Sequence, residues 1–236
     1  SLFDMGLQEK GFKEEVDVLP DLPDWPQNQK LAYEKEVLGF YISGHPLEQY
    51  KFEIKKFANC STQSLARLGD GAVAKMIAII MGIKLTATRK TGERMAILTV
   101  EDMYGQTEAV VFPSVYQKVS EKIQAGQVVI VMGKVALREG TANILCDDIR
   151  PISEIYDTIK AVRVNLIGMD QDALARFKKK LLHFPGEVPV YLQLDTQKYK
   201  SVQILVGKDL YVHPSEMLLN DIKEMVGEDN FALTVS

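Results

Sequence analysis

The chain of 236 residues contains only two cysteines, three histidines and one tryptophan. Cys60 and Cys146 lie far apart in sequence, which specifies no disulfide framework and suits a reducing compartment. His45, His183 and His213 are scattered, with no second His or Cys at ligand spacing, so no metal site is nominated. No apolar run is long enough to span a bilayer and no charged-then-apolar leader opens the chain. The expectation is a soluble, cytoplasmic protein with no membrane partner. No Ser, Cys or Lys nucleophile has a recognisable partner, and no Gly-rich loop cradles phosphate, so no catalytic residue is nominated. A strong charge excess is missing too. The net charge is −4, and only residues 71–150 are positive, with 10 Lys and Arg against 8 Asp and Glu. Tight nucleic-acid binders carry a larger excess, so phosphate contacts made here should be weak and salt-sensitive.

What the sequence does contain is a dense run of apolar strands between Val73 and Ile149. Met76 to Ile83 continues into the basic stretch Lys84 to Lys90, Thr91-Gly92 makes a turn, and Met95 to Asp102 returns. Met103-Tyr104-Gly105 turns the chain into Thr107 to Phe112. Pro113-Ser114 opens a helix with Val115, Val119 and Ile123 on one face, which Gly126 ends. Val128 to Val135 and Ala142 to Ile149 complete five strands. Five strands with a helix between the third and fourth is the order of an OB-fold barrel, which recurrently holds single-stranded nucleic acid across strands 2 and 3. The candidate binding residues are Lys84, Arg89, Lys90 and Arg94 around the first hairpin, Lys134 and Arg138 on the fourth strand and its turn, and Tyr104 as a stacking ring. The alternative for the cations is a set of solvated charges on hairpin tips. Phe112 is expected in the core. Glu101-Asp102 and Asp147-Asp148 are expected to be solvated strand ends, because adjacent strand residues point to opposite faces and cannot pair on a metal.

Before the barrel, the acidic stretch spaced by Pro20, Pro23 and Pro26 reads as an extended segment anchored by Trp25, or as a disordered tail. Asn28 can cap a helix from Gln29 to Ser43, with Leu31, Val37, Leu38, Tyr41 and Ile42 as a buried stripe and Gly44 at its C-terminus. After Pro151 the pattern changes to strands alternating with two amphipathic helices, Asp170 to His183 and one starting at Pro214-Ser215, on one mixed sheet. Lys178-Lys179-Lys180 lies near a helix C-terminus, where it complements the helix dipole.

The run Glu34 to Leu47, with Gly39-Phe40-Tyr41-Ile42-Ser43-Gly44-His45-Pro46-Leu47 at its centre, resembles the helix and turn upstream of the OB domain in the bacterial DNA polymerase III alpha subunit family. Leu98 to Asp102 and Val110 to Pro113 continue the resemblance, which covers essentially the whole chain. It implies an α+β fold: an N-terminal linker and helix, a five-stranded OB-fold β-barrel, and a separate small α+β domain. The implied boundaries are 1–27 for a linker after a clamp-binding motif, 28–70 for a helical connector, 71–150 for the OB domain and 151–236 for a domain that docks the tau subunit of the clamp loader. The family's catalytic Asp pair and its Mg²⁺ ions belong to a palm domain upstream, so this stretch alone is expected to need no cofactor and to polymerise nothing. Ser1-Leu2-Phe3 resembles the end of the family's sliding-clamp peptide, with Leu2 and Phe3 as anchors and the motif's Gln absent; the plainer alternative is a frayed terminus. A rival to the whole assignment is an anticodon-type OB module of an RNA-binding enzyme.

Overall fold

A computed structural model describes Trp25 and residues 27–39, 41–138, 140–194 and 202–235. Leu2 and Phe3, with most of the 1–27 linker, lie outside the described residues. The chain divides into two units, Ser1–Pro46 and Leu47–Ser236.

The first unit carries helix α1, Gln27–Leu38. It is shorter than the pattern predicts, because the chain leaves the helix at Gly39 rather than Gly44. Gly39 takes the left-handed conformation (φ 81°) while its N–H still donates to the Lys35 carbonyl. Leu31 is buried, but Val37, Leu38 and Ile42 are exposed, so the expected stripe does not form. Glu34 holds the following turn. Its carboxylate accepts the backbone N–H of Ile42 at 2.7 Å and of Ser43 at 2.9 Å, together with the Ser43 hydroxyl. These hydrogen bonds, the Ser43 hydroxyl foremost, draw its pKa below the usual carboxylate value.

The second unit opens with helices α2 (Lys51–Phe57) and α3 (Thr62–Leu65). Five strands then close a barrel: β1 (Val73–Ala87), β2 (Arg94–Asp102), β3 (Gly105–Val111), β4 (Val128–Arg138) and β5 (Thr141–Pro151), in the order β1-β2-β3-β5-β4. Helix α4, Pro113–Val119, lies between β3 and β4 as expected, with Pro at its first position. All ladders are antiparallel except β3–β5, where the barrel closes. Alternate residues fill the interior: Met76, Ala78 and Ile80 from β1, Leu98 and Val100 from β2, Ala109 and Val111 from β3, Val129 and Val131 from β4, Ile144 from β5. A Cβ on Gly133 would run into the carbonyl of Leu145, so only glycine lets β4 bulge against β5 there.

The unbroken apolar run of β1 has a separate cause. Ile77 and Ile79 point outward, yet they are buried with Ile130 under Leu47, Tyr50, Ile152 and Ile155. The barrel is therefore covered on its β1–β4 flank by the connector and by the 3-10 turn Ile152–Thr158. Glu101 and Asp102 also differ from expectation, being 8% and 6% exposed. Asp102 accepts from the N–H and hydroxyl of Thr62, at 2.7 and 2.5 Å, and from the N–H of Tyr104 at 2.8 Å. It thus joins α3 to the β2–β3 turn. Glu101 accepts from the Gln106 amide.

Beyond the barrel a four-stranded mixed sheet has the order β10-β6-β8-β9, formed by β6 (Ile159–Asn165), β8 (Val190–Leu194), β9 (Val202–Leu205) and β10 (Phe231–Val235). A short β7, Pro185–Val188, precedes β8. Helix α5, Gln171–Leu182, is capped by Asp170, and helix α6, Glu216–Val226, by Ser215. Phe177 and Leu181 of α5 and Leu218, Leu219 and Ile222 of α6 pack with Val162, Val164 and Phe231 of the sheet. The apolar stretch around Leu210–Val212 starts as a short 3-10 turn, Lys208–Leu210, after which Val212 bridges to Pro185 and Val188. Leu174 and Leu182 of α5 are exposed.

Candidate nucleic-acid interface

The flank of the barrel opposite the buried one is open. The ladders set a row of outward residues across it: Lys84 on β1, Ile97 on β2, Val110 on β3, Leu145 on β5 and Lys134 on β4. Directly paired strand residues share a face, so an apolar floor runs between two lysines. Over this floor lies a cavity of about 590 Å³. Its floor includes Met95, Ile97, Val110, Phe112 and Leu145; Arg89 stands on the β1–β2 loop and Arg138 at the end of β4. Neither arginine has an ion pair with a described residue. Glu108 and Asn143 add polar groups to the same lining.

The seven residues nominated for binding thus fall in four places. Arg89 and Arg138 line the groove, and Lys84 and Lys134 end the row that crosses it. Lys90 stands on the β1–β2 loop beside Arg89 without joining the lining, and Arg94 borders a different hollow with Tyr116, Gln117 and Ser120. Tyr104 is 65% exposed, but it sits at the far end of β2, roughly 25 Å along the strand from the β1–β2 loop.

Phe112 corrects the sequence expectation most usefully. Placed in the core by its apolar neighbours, it is 42% exposed and lines the groove. The alternation of β3 carried the signal: Glu108, Val110 and Phe112 share one side, and a charge at Glu108 marks that side as outward.

Among the described residues no three His, Cys, Asp or Glu side chains gather around one point. Burial pushes the Cys146 thiol up to about 12, with the Asp147 charge adding to it, and burial raises Cys60 as well, so neither thiol is a ready nucleophile. No helix among the described residues is long and apolar enough to cross a membrane.

Comparison with known proteins agrees with this geometry. Residues 75–152 match the family described as an OB-fold nucleic acid binding domain, and residues 176–227 match the DNA polymerase III subunit alpha C-terminal domain. The DNA polymerase III subunit alpha of Bacillus subtilis (strain 168) is 29% identical over 209 residues, covering 86% of this chain and 18% of its own length. That of Escherichia coli (strain K12) is 26% identical over 216 residues, covering 89% and 18%. That of Thermus aquaticus is 31% identical over 169 residues, covering 70% and 14%. The chain spans less than a fifth of the length of these relatives. Its matches thus run through both the barrel and the terminal sheet, and the chain belongs to the DNA polymerase III alpha subunit family, corresponding to its C-terminal region.

Proposed function

We propose that the barrel holds single-stranded DNA during replication, with the phosphate backbone drawn to Arg89 and Arg138 and flanked by Lys84 and Lys134. The observation that carries this is the open groove itself: two guanidinium groups with no ion pair to a described residue, over an apolar floor that ends in an exposed phenyl ring. Cations fix the backbone and a ring accepts a base, the two elements single-strand sites combine. In a fluorescence anisotropy titration, the Arg89→Ala/Arg138→Ala protein should bind single-stranded DNA at least about tenfold more weakly at low salt, and its salt slope should fall by one to two. Unchanged binding in that double variant rejects the groove. Tighter binding to structured RNA than to single-stranded DNA would favour the anticodon-type alternative.

The same reading gives the terminal domain to the tau subunit of the clamp loader and Leu2-Phe3 to the sliding clamp. Support for the first is the family match through α6 and the exposed side chains Met217 and Glu224 on that helix. Support for the second is the sequence alone. Titrations of tau against Met217→Glu/Glu224→Lys and of the clamp against Leu2→Ala/Phe3→Ala should show weakened binding; an unaltered affinity removes the corresponding partner.

A further inference from the structure

The groove lining contains two hydrogen-bond acceptors that no described residue engages. Asn143 Oδ1 is shielded from solvent and has no hydrogen-bond partner among the described residues. Glu108 is exposed, lines the same cavity, and has no hydrogen bond or ion pair with a described residue. The parallel ladder pairs Ala109 with Ile144 and Val110 with Leu145, so the residues one step earlier, Glu108 and Asn143, stand side by side on the outer face.

A carboxylate in the floor of a groove for polyanions repels phosphate, and a buried amide oxygen left bare costs stability. Both penalties are relieved by the same arrangement: phosphates at the arginine rims, a base turned inward against Phe112, and base N–H groups donated to Glu108 and, once its side chain turns toward the groove, to Asn143. Cytosine and adenine present an exocyclic amino group for this, and guanine presents two adjacent donors. Thymine offers a single N–H between two carbonyl oxygens, so at least one of its oxygens would face the acceptor-only Glu108 carboxylate unfavourably. Building on the single-strand reading above, we propose that this groove is base-selective: Glu108 and Asn143 favour amino-bearing bases over thymine at the position stacked on Phe112.

The test uses the whole chain and labelled homopolymers of about 15 nucleotides, near the upper site size of an OB fold. Oligo-dC and oligo-dA should bind about 5- to 10-fold more tightly than oligo-dT, the discrimination expected of one good base contact. In Glu108→Ala/Asn143→Leu that ratio should collapse to below about twofold, and Glu108→Gln, which keeps the shape and an acceptor oxygen, should retain part of it. Circular dichroism checks that each variant folds. Equal wild-type binding to all three oligomers, or a ratio that survives in the double variant, overturns base selection while leaving the groove as a backbone site. Absence of binding to any oligomer overturns the single-strand reading and this proposal together.

Discussion

Lys223 tests how the terminal sheet is held to the connector. Its sequence context, late in an amphipathic helix, suggests a surface charge suitable for reversal. In the structure its side chain is only 10% exposed and its ammonium lies 3.4 Å from Glu53, whose side chain is 1% exposed. The same ammonium sits 4.4 Å over the Phe52 ring, which in turn packs on Phe231 with ring centroids 5.0 Å apart. At an effective dielectric near 20, two unit charges at this separation attract by roughly 5 kcal/mol, and desolvation of both groups offsets most of that. The pair itself is thus worth little, but Lys223→Met strands a carboxylate in the interior and should lower stability by about 3–5 kcal/mol. Adding Glu53→Gln removes the stranded charge and should recover at least half of the loss. Urea denaturation followed by circular dichroism measures both variants. A Lys223→Met protein within about 1 kcal/mol of wild type, or a double variant no more stable than the single, would show that Lys223 does not neutralise a buried Glu53 charge.

Two further outcomes follow from buried polar groups. Asp102→Ala removes three hydrogen bonds to a buried carboxylate and should cost about 2–4 kcal/mol, with faster hydrogen exchange at the Tyr104 amide showing that the β2–β3 turn has loosened. Tyr50 is pushed up to about 12, first by burial and then by the charge of Glu216, to which its hydroxyl donates at 3.3 Å. The folded state therefore keeps this proton longer than the unfolded chain does. Stability should be independent of this group below pH 10 and decline as pH rises from there through about 12, a decline that Tyr50→Phe reduces in urea midpoints measured across that range.

The barrel was legible because its signals are local. Apolar alternation, the turn at Thr91-Gly92 and a Pro-opened helix after the third strand each follow from neighbours in sequence, and together they fix the strand order. Local signals also mislead where two are equivalent. Gly39 and Gly44 both adopt positive φ, and the helix stops at the first, which no pattern in α1 distinguishes from the second. The burial of Glu53 could not be read at all, since its partner lies 170 residues away. Asp102 is buried for the same kind of reason: Thr62, 40 residues earlier, folds over it. Within the site the cations were found by charge alone, and charge does not say which barrel end a residue occupies. That is why Arg89 and Arg138 meet in one groove while Tyr104 lies at the other end of β2. Glu108 and Asn143 were missed because an isolated polar residue on a strand looks like ordinary solvent-facing alternation until the β3–β5 ladder sets the two side by side.

The two flanks of the barrel have different fates, and that difference predicts how the chain can be divided. The β2–β3–β5 face stays open as the groove. On the β1–β4 face, Ile77, Ile79 and Ile130 are at most 5% exposed because Ile152 and Ile155, from the segment leading into the terminal sheet, cover them together with Leu47 and Tyr50 from the connector. The next residue after Ile155, Tyr156, packs instead into the core of the terminal sheet with Val162 and Phe177. One turn therefore serves both halves. Cutting the barrel out as residues 71–150 would return three isoleucines to water, each worth roughly 1.5–3 kcal/mol when buried, for a total of about 5–9 kcal/mol. A domain has only about 5–15 kcal/mol in all, so the excised barrel should be marginal and should self-associate through the bared face. Residues 47–236, which keep the cover, should stay monomeric. Size-exclusion chromatography and thermal unfolding of the two pieces decide the matter: an excised barrel that is monomeric and melts within a few degrees of the longer piece would show that Ile152 and Ile155 contribute little, and that the barrel is sufficient by itself.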